Sequence, residues 1–183
     1  MPSACQYWTY RLVQAVTPSI ERVPYKRPYN SPLECGLRAL FILSASPCAL
    51  DLQRLISYDY FLVHSGDVPS GPMSLHPAVP HRSGEFLVRR EILQAGLHRM
   101  LSKELIEVEF SNKGFFYKST PLTQAFIKLL KTPYCKHLQD RARWVSQHFS
   151  GTTDDQLNDF MAKRIGEWGA EFENLTAMDS LEL

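Results

Sequence analysis

The chain has 183 residues, 44 % of them apolar, enough for one domain with a real core and too few for several. Its 20 Lys and Arg stand against 19 Asp and Glu, and a formal net charge of +1 excludes a chain that is basic throughout. Four cysteines with no CxxC pair exclude a zinc ribbon and a thioredoxin-type centre, and fit a reducing compartment.

Residues 1–29 read as an extended arm, broken by Pro18, Pro24 and Pro28 and carrying Tyr7, Trp8 and Tyr10. Tyr7, Trp8 and Arg11 interrupt any secretory leader. No apolar run reaches the length of a membrane span; the densest, Leu37 to Leu43, contains Arg38. The expectation is a cytoplasmic chain without a membrane segment.

A first helix is predicted from Ser31-Pro32-Leu33-Glu34, where Ser31 caps, Pro32 takes the first helical position and Glu34 closes a capping box. Its inner stripe is Leu33, Leu37, Leu40 and Phe41, with Cys35 as a half-buried filler, and Pro47 ends it. Asp51 caps a second helix to about His64, with Leu52, Leu55, Ile56 and Val63 inward. Residues 65–82 form a long loop with Pro69, Pro72, Pro77 and Pro80, either a functional loop or a rigid spacer.

From Ser83 to Lys103 the spacing predicts a basic helix, with Leu93, Leu97, Met100 and Leu101 on one stripe and Arg89, Arg90, His98 and Arg99 on the polar side. Leu105–Phe110 alternates like a half-buried strand, Ser111–Gly114 supplies a turn, and Phe115–Thr120 returns. A helix followed at once by a short hairpin is the signature of a winged helix-turn-helix. Pro121 opens a helix with Leu122, Phe126, Leu129 and Leu130 on one face, and Pro133 interrupts it. A further helix carries Leu138, Trp144, Val145 and Phe149. Thr153 and Gln156 box the start of the last helix, lined by Leu157, Phe160, Met161, Ile165 and Trp168. The expected fold class is mostly α with a small β-hairpin, a winged helix-turn-helix domain with additional C-terminal helices. Its expected parts are the arm 1–29, a winged-helix domain 30–132, a helical extension 133–170 and an acidic tail 171–183.

Charge is uneven along this layout. Residues 82–118 hold seven Lys and Arg against five Glu, residues 128–148 hold five against one Asp, and residues 154–183 hold two against eight Asp and Glu. Such asymmetry fits two partner surfaces, or one surface masking another, as well as an uneven solvated exterior.

Few motifs carry chemistry. His64, Ser65 and Asp67 are sequence neighbours without a GxSxG elbow, and their spacing to His76 and His81 matches no compact metal motif. Without a Walker A or GxGxxG sequence, no nucleotide cofactor is expected, and no catalytic or metal residues are assigned. Candidate DNA contacts on the helix and wing are Arg89, Arg90, Arg99, Lys103, Lys113 and Lys118. Glu85, Glu91, Glu104, Glu107 and Glu109 lie among them, a mixture of signs that favours a protein partner over direct reading of DNA. Tyr7 and Trp8 at one end, and Trp168, Phe172 and Leu175 at the other, are candidate anchors for that partner.

The segments NSPLECGLRALFIL, LDLQRLISYDYFLVHSGDVPSGPMSLHPAVPHRSGEFLVRR, GFFYKSTPLTQAF and RIGEWGAEFE, between Asn30 and Glu173, resemble the small middle component of bacterial ABC-three-component conflict systems. The similarity is to the group called middle component 2, the kind of accessory subunit used in Lamassu-type antiphage defence. The resemblance implies a non-enzymatic adaptor between a coiled-coil ATPase of the SMC or Rad50 type and an effector, often a nuclease. Double-stranded DNA would be met through the complex. It also marks His64, Asp67, Arg82 and Glu85, in the HSGD and HRSGE segments, as candidates for a shared interface. The alternative is a stand-alone winged-helix transcription regulator, a symmetric dimer on a palindromic site.

Overall fold

The computed structural model describes residues 30–77, 82–112 and 114–179, and the side chains of these except 82–87 and 168–179. Tyr7, Trp8 and Lys113 lie outside the described residues, as does the whole 1–29 arm. The described elements are α1 (Pro32–Ala45), β1 (Leu50–Asp51), α2 (Leu52–Val63), a 3-10 turn (Ser65–Asp67), α3 (Arg82–Leu101), β2 (Ile106–Ser111), β3 (Gly114–Ser119), α4 (Pro121–Ile127), α5 (Pro133–His148) and α6 (Asp154–Asp179). The fold is mostly helical with one small three-stranded antiparallel sheet, ordered β1-β3-β2.

Local chemistry sets the helix ends. The Ser31 hydroxyl accepts from the Glu34 N–H at 3.2 Å, while the Glu34 carboxylate reaches past Ser31 to the Asn30 N–H at 2.8 Å. Asp51 accepts from the Arg54 N–H at 2.8 Å and starts α2. Thr153 and Gln156 exchange both capping-box bonds, at 3.0 and 3.3 Å. Pro133 stands in the first turn of α5 behind the Thr132 cap, so it opens that helix where an interruption was expected.

The inner helices are buried far beyond a single stripe. Every α2 residue from Leu55 to Val63 is buried, and so is every α1 residue from Arg38 to Leu43. A one-sided face was expected for each; α1 instead packs against α2, α3 and α5, and α2 against α1, α3, α5 and α6, which leaves neither a solvent side. Leu33, expected inward, is 50 % exposed at the start of α1. On and just after α4, Phe126 and Leu130 pack against the core as expected, but Leu122 and Leu129 face solvent, and the buried residues of the helix are Ile127 and Thr123, whose hydroxyl donates to the Leu105 carbonyl.

α5 and α6 complete the same core. Leu138, Ala142, Val145, Leu157 and Met161 join the cluster formed by α1, α2 and α3. Phe61 of α2 stacks on Phe149 at 5.2 Å and meets Phe160 at 5.7 Å. α6 runs unbroken through residue 171, where the tail was expected to begin.

The hairpin falls within a residue of the expected strands, with Ser111 opposite Gly114 across a two-residue loop and Gly114 at φ 123°. β1 adds Leu50 opposite Tyr117 and Asp51 opposite Phe116. Two residues are too few to show alternation, so this third strand was not foreseen.

α1 and α3 cross in backbone contact at Gly36 and Gly96. A Cβ on Gly36 would meet the Gly96 carbonyl oxygen at 2.8 Å, and one on Gly96 would meet the Gly36 nitrogen at 2.7 Å. Neither obstacle is a flexible side chain, so Gly96→Ala is expected to lower the unfolding free energy by about 3 kcal/mol in chemical denaturation. Gly166, in α6 with open space around its Cβ position, is the control: Gly166→Ala should raise stability by about 0.5–1 kcal/mol.

Candidate functional site

Three charged side chains meet in the interior where α1, α2 and α3 converge. Asp59 of α2 accepts from Arg38 Nε at 2.6 Å and Arg38 Nη2 at 2.9 Å, and its other approach is filled by Arg89 Nη1 at 2.6 Å. All three side chains are at most 2 % exposed. Arg38 also donates to Glu34 at 2.9 Å and to the Cys35 sulfur at 3.1 Å, and the Arg89 guanidinium lies over the Tyr60 ring at 5.2 Å. Asp59 lies buried between the two guanidiniums, and Glu34, 26 % exposed, adds a second carboxylate at Arg38. Burial alone would raise the Asp59 carboxyl, but the Arg38 and Arg89 guanidiniums beside it hold it below the usual carboxylate range. An ionised, fully engaged carboxylate between two arginines ties helices together and leaves no base or acid poised near neutral pH.

This arrangement corrects one expected DNA contact. Arg89 lies in the core, paired to Asp59, and does not reach a surface that DNA could touch. The signal was in the spacing: Arg89 stands four residues before Leu93 and eight before Leu97, on the apolar stripe of α3. Arg38 within LRALFIL and Asp59 within YDYFLV are likewise charges inside apolar helical runs.

The HSGD segment folds inward too. His64 is 3 % exposed, its ring 4.9 Å from Tyr60 and 6.0 Å from His76. The Tyr60 hydroxyl donates to half-buried Asp67 at 2.5 Å. The Leu75 and His76 N–H groups both donate to the Val63 carbonyl, at 2.9 and 3.0 Å, and Arg141 of α5 donates to the Met73 carbonyl at 2.9 Å. His76 stacks on Tyr134 and hydrogen-bonds its hydroxyl at 2.7 Å. The loop is therefore a strapped cover over the end of α2, through Pro77 at least. His64, expected on a partner interface, is instead part of the strap's interior packing. Arg82 opens α3, and its side chain and that of Glu85 lie outside the described residues. Among the described residues no group of three His, Cys, Asp or Glu is placed to hold a metal ion.

The solvent-facing candidates divide into two surfaces. Arg90, Arg99 and Lys103 are exposed on and just after α3, as expected, but so are Glu91 and Glu104. On the hairpin Lys118 is paired with Glu109 at 2.9 Å. The second surface was visible only as a charge count: Lys128, Lys131 and Lys136 are all exposed at the corner between α4 and α5, beside 73 %-exposed Leu129. Trp168, Phe172 and Leu175 lie along α6, with side chains outside the described residues. Sequence reasoning missed Phe110 and Phe115, 77 and 62 % exposed at the hairpin tip, with ring centroids 5.2 Å apart.

Removing the carboxylate takes away the buried counter-charge that Arg38 and Arg89 share, so Asp59→Ala should cost about 3–5 kcal/mol of unfolding free energy. The pH sign follows from the lowered carboxyl. Its contribution is complete above an unfolded value of about 3.9 and is lost as pH falls through the lower native value, so this part of the stability should stay flat from about pH 5 to 8 and decline below about pH 4 in denaturant titrations. Burial, chiefly, pushes the Cys35 thiol up to about 12. In the native chain a maleimide should therefore label exposed Cys48 promptly and Cys35 only after unfolding, read by peptide mass.

Residues 28–171 match the family model described as ABC-three component (ABC-3C) system Middle Component 2. That span takes in every element from α1 to α5 and most of α6. No curated protein matches the chain, and no solved structure matches it. The chain belongs to the ABC-three component system middle component 2 family.

Proposed function

We propose that this chain is a non-catalytic accessory subunit that joins an SMC- or Rad50-like coiled-coil ATPase to an effector such as a nuclease, in an antiphage defence complex of the Lamassu kind. The observation that carries the reading is the family match over residues 28–171, because a middle component of a multi-protein system implies protein partners. The chemistry of the interior agrees with it. Among the described residues the buried Arg38, Asp59, Arg89 and His64 hold helices and the strap in place.

A winged-helix scaffold is part of the proposal. α1, α2 and α3 followed by the β2–β3 hairpin, with β1 completing the sheet, support that comparison. The long strapped segment between α2 and α3 is a departure from a tight helix-turn-helix pair. Direct contact with DNA, if the complex makes it through this subunit, falls to Arg90, Arg99 and Lys103, or to the lysines at the α4–α5 corner.

Co-expression of the full chain with the other components of its system, followed by size-exclusion chromatography with light scattering, tests the reading. The expected result is a stable complex with the ATPase, and for the isolated chain only weak duplex binding that fades steeply with salt. A symmetric dimer that ignores the ATPase and binds one palindromic site tightly would contradict it and favour a transcription regulator.

A further inference from the structure

β2 is an edge strand: among the described residues its one sheet neighbour is β3. The register tells which of its backbone groups are open. Ser111 and Gly114 flank the two-residue loop and form a hydrogen-bonded pair, so Glu109 with Phe116 and Glu107 with Lys118 repeat that pairing. The Thr120 N–H to Leu105 carbonyl bond, at 3.4 Å, continues the same phase. The N–H and C=O groups of Val108 and Phe110 therefore point away from β3, and among the described residues no hydrogen bond meets them there.

The two faces of this edge differ. On one face Leu50, Tyr117 and Val108 form a row against the body, and the next row outward is the cross-strand pair Phe110 and Phe115. That aromatic row overhangs the body, which is why it is so exposed. On the opposite face Glu107 and Glu109 are exposed, with Lys118 paired to Glu109.

We infer that the β2 edge takes up a strand from a different protein, with Lys or Arg opposite Glu107 and Glu109 and apolar residues on the Phe110–Phe115 shelf. Charge favours this occupant over a second copy paired about Val108. An antiparallel pairing of two β2 strands about Val108 would set Glu107 against Glu109 of the other copy, twice, and like charges directly opposite are destabilising. A basic, alternating strand meets the opposite condition on the same backbone. Strand addition supplies affinity through main-chain bonds and specificity through alternate side chains. The inference rests on the adaptor reading and names the chemistry of one partner segment.

The test uses the full chain assembled with the co-expressed components of its system. Amide hydrogen exchange should slow at Val108 and Phe110 on assembly. Val108→Pro removes one outward N–H and leaves the β2–β3 ladder bonds intact. The triple variant Glu107→Lys, Glu109→Lys, Lys118→Glu reverses the sign of the edge while keeping the cross-strand charge pairing, and serves if the proline disturbs folding. Each should weaken assembly about tenfold with an unchanged melting temperature. A complex that forms while Val108 and Phe110 exchange as in the free chain, or that tolerates the charge reversal at full affinity, overturns the inference and leaves the adaptor reading standing. Protection that appears in the isolated chain together with a doubled mass overturns it in favour of a second copy. Failure of the wild-type chain to assemble with any component removes the adaptor reading and the inference with it.

Discussion

The buried bridge from Arg38 through Asp59 to Arg89 is the constraint on which the rest of the structure depends. It joins the three helices that carry everything else: α1 and α2 form the centre, and α3 leads directly into the hairpin. Such a cluster is a weak source of stability, since desolvating an aspartate and two arginines offsets much of their mutual attraction. Its value is geometric. A carboxylate that must satisfy two guanidiniums at once fixes the rotation of each helix about its own axis, and so decides which residues of α3 face solvent. Arg90 and Arg99 are outward because Arg89 is held inward.

The close crossing at Gly36 and Gly96 works with that bridge. Two backbones in contact leave no room for a misaligned helix pair, and the arginine on each helix then falls within reach of one aspartate. The strap of residues 65–77 covers the far end of α2 and is pinned by Tyr60, Val63, Tyr134 and Arg141. Its motif residues serve rigidity. What the molecule offers outward is then a set of surfaces held at fixed angles: the mixed-charge side of α3, the lysine corner, and the edge and tip of the hairpin.

Much of this was legible from residues close together in the chain. Helix starts at Ser31, Asp51 and Thr153 were readable because capping is settled within four residues, and the hairpin because its alternation and its turn are local. What depended on distant partners was not. Arg89 was placed on the polar side of α3 by its residue type, although its spacing put it on the apolar stripe; only Asp59, thirty positions away, makes that burial affordable. Around α4, Phe126 and Leu130 pack inward as their spacing suggests, while Leu122 and Leu129 are exposed and Thr123, bonded to the distant Leu105 carbonyl, is buried. β1 is too short to carry a pattern, and the Phe110–Phe115 pair was read as ordinary strand alternation because nothing local tells how far a body extends beneath it. The family likeness rests on longer segments, and the family model matches residues 28–171.

On the proposed reading the chain acts by contact, holding an ATPase and an effector in one assembly. Native mass spectrometry of the reconstituted system, with and without this chain, tests it most directly. The account predicts a single species containing ATPase, effector and this chain, which separates into ATPase and effector when the chain is left out. ATPase and effector that associate equally well in its absence would contradict it.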